Sequence, residues 1–136
     1  MWSIIMIKVF LVVAVVLTLV LIFKRAAFGL EDDLLGKPAP EFKLKNSYGE
    51  LVALERFKGK WLLVFFYPKD DTPRCTKEAC SLRDNYTEIQ KLNANIVGIS
   101  IDSSDSHKDF KEKYNLPFML LSDPDGKTAK KYGALN

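Results

Sequence analysis

From Ile4 to Phe23 the chain reads IIMIKVFLVVAVVLTLVLIF, an apolar run whose only charge is Lys8. This run constrains the fold most, because it sets its own stretch aside and leaves the rest of a 136-residue chain room for one compact domain. As helix, Val9 to Phe23 would rise about 22 Å, and Trp2 to Phe23 about 33 Å, enough for a hydrocarbon core of about 30 Å. Lys8 sits near one end, where its stem can snorkel to the headgroups, and Trp2 suits the interface. Residues 1–25 are therefore expected to be a transmembrane anchor or signal segment, residues 26–36 a tether, and residues 37–136 the domain. Lys24-Arg25 argues against cleavage after Ala27-Phe28-Gly29, so a membrane-tethered, single-pass protein is expected, with export after signal cleavage as the alternative. Lys8 and the amino terminus balance Lys24 and Arg25, which leaves the side of the membrane open.

Charge and cysteine content narrow the domain's chemistry. Residues 1–29 hold Lys8, Lys24 and Arg25 and no acid, so residues 30–136 carry equal numbers of cations and anions although the whole chain is +3. A domain of mixed, balanced charge has no electrostatic footprint for nucleic acid. With Cys75, Cys80 and His107 as its only cysteines and histidine, one chain cannot build a four-ligand zinc or iron–sulfur site from such residues. Redox work, nucleophilic work or plain burial remain for the thiols.

Past the tether, apolar periods of 2 and 3.6 alternate. Phe42–Lys45 and Leu51–Leu54 flank the turn signal Asn46–Gly49 and predict a hairpin. Trp61–Tyr67 (WLLVFFY) is a continuous apolar run, as in a central strand covered on both faces. Ile96–Ile101 predicts a second buried strand, followed by N-cap chemistry at Asp102–Asp105 for a helix through Tyr114. Phe118–Leu121 predicts a third core strand, and Lys127–Tyr132 a short helix. This alternation predicts an α/β layer fold with parallel strands.

The chemistry concentrates where the strongest strand ends. Thr72-Pro73 is a helix start, with Thr as N-cap and Pro at the first helical position. Beyond it Cys75, Ala79, Leu82, Tyr86 and Ile89 recur as one inward stripe of a long helix. Cys75 thus falls in the first turn of a helix at the carboxyl end of a buried strand, where ligands bind in open α/β sheets. Free N–H groups and the positive end of the helix dipole favour a thiolate there, with the Thr72 hydroxyl three residues back and the Arg74 cation next door. Plain burial of a small apolar side chain is the competing reading. Cys80, five residues on, lies off the stripe and nearer solvent. In an intact helix the two Cα atoms stand about 8.7 Å apart, whereas a disulfide wants roughly 4.4–6.8 Å. Pairing therefore requires the first turns to unwind; otherwise Cys80 is a partly exposed bystander.

The segment Phe65 to Cys80 (FFYPKDDTPRCTKEAC) resembles the active-site segment of the peroxiredoxin Q/bacterioferritin comigratory protein group. Pro68, Thr72 and Cys75 meet the peroxiredoxin pattern, and Cys80 resembles that group's resolving cysteine. The similarity runs over roughly residues 35–135, including Gly36–Phe42 and Tyr114–Phe118 through Ser122-Asp123. It implies a thioredoxin-like fold and a thiol-dependent peroxidase for hydrogen peroxide and organic hydroperoxides, serving antioxidant defence. Cys75 would be the peroxidatic residue, supported by Thr72 and Pro68. Cys80 would resolve its sulfenic acid to an intrachain disulfide that a thioredoxin-type partner reduces. No cofactor and no metal is implied, and the domain is expected to act as a monomer.

The chain also departs from the group. Arg74 stands where Gly is usual, giving possible electrostatic support. The group's final strand and helix, with an expected active-site arginine, would lie beyond Asn136, so the domain is expected to be incomplete at its C-terminus. Two alternatives follow: a membrane-tethered thiol–disulfide oxidoreductase, which would want Cys-x-x-Cys, and an inactive fragment acting as a binding module. His107, in the polar stretch SDSHKDF, reads as a solvated surface residue. Asp70-Asp71 reads as turn and cap chemistry, and Lys127–Lys131 as a solvated basic face.

Overall fold

The computed structural model describes residues 34–135. Five strands and four helices form a mixed sheet with helices: β1 (Lys43–Asn46), β2 (Leu51–Ala53), β3 (Trp61–Phe66), α1 (Pro73–Asp84), α2 (Tyr86–Lys91), β4 (Ala94–Ser100), α3 (Ser104–Tyr114), β5 (Met119–Ser122) and α4 (Lys127–Lys131). A short 3-10 turn, Leu54–Phe57, follows β2. The sheet order is β2-β1-β5-β4-β3. Strands β3, β4 and β5 run parallel, and β1 joins β5 antiparallel. The expected α/β layering with parallel core strands is thus present, extended by the β1–β2 hairpin.

Local chemistry accounts for the punctuation. In the hairpin turn the Asn46 side chain accepts the N–H groups of Tyr48 and Glu50 at 2.8 and 3.0 Å, and Gly49 takes φ +78°, a region that suits glycine. Helix α3 starts at the N-cap Ser103, whose hydroxyl accepts the Ser106 N–H. It ends at Asn115 in the left-handed region, a common helix stop.

Two apolar clusters cover the two faces of the sheet. One gathers Phe65, Tyr67, Cys75, Ala79, Ile96, Phe110, Leu116, Phe118 and Leu120 under the helices. The other gathers Phe42, Val52, Phe57, Val97, Ile99 and Leu121. Gly98 lies opposite Phe65 on one side and Leu120 on the other. A Cβ there would meet the Phe65 ring at 2.6 Å, so glycine allows that ring to lie across β4.

Three expectations change. Among the described residues β3 is the outermost strand of the sheet, and Trp61 and Leu63 are exposed at its amino end. Apolar continuity reports cover on the faces and says nothing about hydrogen-bonding neighbours in the plane of the sheet. The predicted long helix after Thr72 is two segments meeting at Asn85. Asn85 keeps φ −99° and ψ 6°, so Leu82, Tyr86 and Ile89 still pack on the first cluster. The third correction concerns the membrane. The run at residues 4–23 lies outside the described residues, and among the described residues no helix is long and apolar enough to cross a membrane. The longest, α1, has 12 residues, about 18 Å of rise against a core of about 30 Å. No described helix supports the membrane-tethered localisation or the transmembrane helix of the fold description, and the stretch on which both rested is outside the described residues.

Candidate active site

The carboxyl end of β3 delivers the chain into the loop Tyr67–Thr72, and the loop delivers it into α1. Thr72 is the N-cap residue in extended backbone, with Pro73 at the head of the helix, as the Thr-Pro pair dictates. Its hydroxyl does not cap: it donates to the Lys69 carbonyl at 3.2 Å, while its own carbonyl accepts the Thr76 N–H at 2.8 Å. Cys75 follows in the first turn and is buried against the Phe65–Phe118 cluster. Cys80 sits lower on the same unbroken helix and is half-buried. Both are free thiols, in a helix whose geometry holds their Cα atoms about 8.7 Å apart. Arg74 is exposed and makes no hydrogen bond or ion pair among the described residues.

A cavity of about 260 Å³ opens at the carboxyl ends of β3 and β4, lined mostly by apolar residues including Phe66, Pro68, Ile99, Ile101 and Leu135. Pro68 borders it; Cys75, Thr72 and Cys80 do not.

The loop is held by charge that sequence reasoning set aside. Asp70 is buried, and its carboxylate takes the Tyr67 hydroxyl at 2.7 Å, the Ser106 hydroxyl at 2.8 Å and His107 Nδ1 at 2.8 Å. Its backbone N–H donates to Asp102 at 2.8 Å, and the Ser100 hydroxyl donates to the same Asp102 oxygen. Burial pushes the Asp70 carboxyl up, yet the hydrogen bonds from His107, Tyr67 and Ser106 outweigh it and hold it below the usual range. An ionised carboxylate only accepts, so His107 Nδ1 is the donor of that bond. Burial, then the adjacent Asp70 charge, raises the Tyr67 phenol well above its ordinary value. His107 Nε2 and Thr76 Oγ1 are buried without a hydrogen-bond partner among the described residues.

The solvated His107 of the sequence reading is thus corrected to a fully buried residue. One signal was present: His107, Phe110 and Tyr114 recur at helical spacing on the face that Phe110 buries. Asp70 is likewise a buried acceptor rather than a cap. Asp71 does take a turn conformation, φ +58°, and its exposed carboxylate receives Lys113 Nζ at 2.6 Å and the Tyr114 hydroxyl at 2.5 Å. These two donors lower its ionisation range.

With this geometry in hand, comparison with known proteins is informative. The AhpC/TSA family profile matches residues 35–136. The chloroplastic peroxiredoxin Q of Sedum lineare is 53% identical over 98 residues, covering 72% of this chain and 53% of that protein. The peroxiredoxin Bcp of Bacillus subtilis is 48% identical over 98 residues, covering 72% of this chain and 62% of its own. Among solved structures, a cysteine-to-serine variant of Xanthomonas campestris peroxiredoxin Q superposes with TM-score 0.68 at 36% identity, over 70% of this chain and 60% of that one. Peroxidoxin BcpB of Mycobacterium tuberculosis gives 0.69 at 35% identity, over 72% of this chain and 64% of that one. The chain spans about half the length of the chloroplastic relatives it matches.

Proposed function

The chain belongs to the AhpC/TSA family and groups with peroxiredoxin Q and Bcp, and from that premise we propose that it is a thiol-dependent peroxidase. The observation that carries the reading is the placement of two free thiols, Cys75 in the first turn of α1 and Cys80 on the same helix. In the proposed cycle the Cys75 sulfur, as thiolate, attacks one peroxide oxygen. The O–O bond breaks, Cys75 becomes a sulfenic acid, and the other oxygen leaves as water or alcohol after protonation. Cys80 then attacks the Cys75 sulfur, the S–O bond breaks, and water leaves as the disulfide forms. A dithiol partner of thioredoxin type takes up that disulfide by thiol exchange.

Thr72 and Pro68 shape the approach to Cys75, and Arg74 supplies positive charge beside it. The proposed substrates are hydrogen peroxide and organic hydroperoxides, the class that the membership of the family suggests. No metal or organic cofactor enters the cycle, and the domain works as a monomer. The spacing between the cysteines supports this reading over dithiol–disulfide exchange, because sulfurs five residues apart on an intact helix do not meet. The test is to treat the Cys80→Ser chain with hydrogen peroxide in the presence of dimedone. A dimedone adduct on Cys75 is expected; an unlabelled Cys75 overturns the reading.

A further inference from the structure

Disulfide formation between Cys75 and Cys80 requires α1 to unwind, and the structure bears on where that unwinding starts and stops. Upstream of Cys75, two consecutive residues are fixed to opposite ends of α3. Asp70 is bound by Ser106 and His107 of its first turn, and Asp71 by Lys113 and Tyr114 of its last turn. Downstream, Arg83 of α1 donates to the Tyr114 carbonyl at 2.8 Å. Between Asp71 and Arg83 lies the stretch that carries both thiols. Its side-chain hydrogen bonds are local: Thr72 to Lys69 and Asn85 to Ser81.

We propose that α3 brackets the redox segment, with Asp70, Asp71 and Arg83 as positioning residues that confine unwinding to residues 72–82. The inference rests on the Cys75–Cys80 cycle proposed above. The upstream fixings keep the Thr72 backbone in place for peroxide attack. The downstream fixing stops the opening before α2 and keeps Cys80 within reach of Cys75. The bracket has buried and exposed parts: the Asp70–His107 pair is almost wholly buried, whereas the Asp71–Lys113 pair is solvent-facing. The exposed pair can be altered without opening the core. Asp71→Asn removes the ion pair while keeping a residue type that accepts the left-handed backbone.

The full chain is examined by residue-resolved amide hydrogen exchange, reduced and after oxidation with hydrogen peroxide. In parallel it is oxidised with glutathione disulfide, which forms the same bond by thiol exchange. On oxidation the Ala79 and Cys80 amides are expected to lose at least about tenfold in protection while the Asp70 and Ile89 amides keep theirs. In Arg83→Met the loss is expected to spread to Ile89 in the oxidised protein only, with Arg83→Lys restoring part of the limit. In Asp71→Asn the attack on peroxide is expected to slow about three- to tenfold while the later disulfide step is not slowed. That split is one a general loss of stability would not produce. Loss of protection at Asp70 together with Cys80, or equal slowing of both steps, overturns the bracket. Failure with peroxide but closure with glutathione disulfide counts against the peroxidase reading alone, and the exchange pattern then still decides the bracket. Failure with both oxidants shows that the segment does not unwind and overturns the bracket itself.

Discussion

The His107 imidazole is fully buried with Nδ1 2.8 Å from Asp70 Oδ2, joining the first turn of α3 to the loop that precedes Cys75. Removing one donor from a buried carboxylate costs roughly 1.5–3 kcal/mol, the worth of a hydrogen bond to a charged group. His107→Leu is therefore expected to destabilise the domain by about 2 kcal/mol, read as a lowered denaturant midpoint. A change near zero would mean that Tyr67 and Ser106 satisfy Asp70 by themselves.

The same carboxylate sets an acid limit. Its ionisation range is lowered by folding because hydrogen bonds from His107, Tyr67 and Ser106 outweigh the upward push of burial. A group depressed in the folded state contributes stability that is complete above its unfolded pKa, about 3.9 for Asp. The contribution is lost as pH falls through the lower folded value. Unfolding free energy measured against pH should thus fall below about pH 4. In Asp70→Asn the acid limb should be shallower, from a lower plateau. An unchanged limb would assign the acid sensitivity to other carboxylates.

Gly98 tests the packing over β4. A methyl group there meets the Phe65 ring at 2.6 Å and Leu120 Cδ2 at 2.8 Å, and overpacking of this kind costs about 1–3 kcal/mol. Gly98→Ala should lower the melting temperature. It should also disturb the 5.4 Å stack of Phe65 on Tyr67, and through Tyr67 the Asp70 cluster. A melting temperature equal to that of the parent chain would contradict this packing account.

What was legible in the sequence follows from which interactions are local. The Thr-Pro pair fixes a helix start by backbone chemistry alone, so the first-turn position of Cys75 and the stripe through Ala79 and Leu82 could be read directly. The hairpin at Asn46–Gly49 and the N-cap at Ser103 are local in the same way. His107 was misread because its neighbours are polar while its partner, Asp70, is 37 residues away. The Asp71 contacts with Lys113 and Tyr114 span 42 and 43 residues. The place of β3 outermost among the described strands was not legible, because side-chain pattern reports the two faces of a strand and not its neighbours in the plane.

The central claim is that Cys75 reduces peroxide and is resolved by Cys80, and intact mass measures it most directly. The reduced full chain is mixed with one equivalent of hydrogen peroxide and weighed. The account predicts loss of two hydrogens in the parent chain, no change in Cys75→Ser, and gain of one oxygen without hydrogen loss in Cys80→Ser. A parent chain whose mass does not change, or a Cys75→Ser chain that still reacts at Cys80, would contradict it.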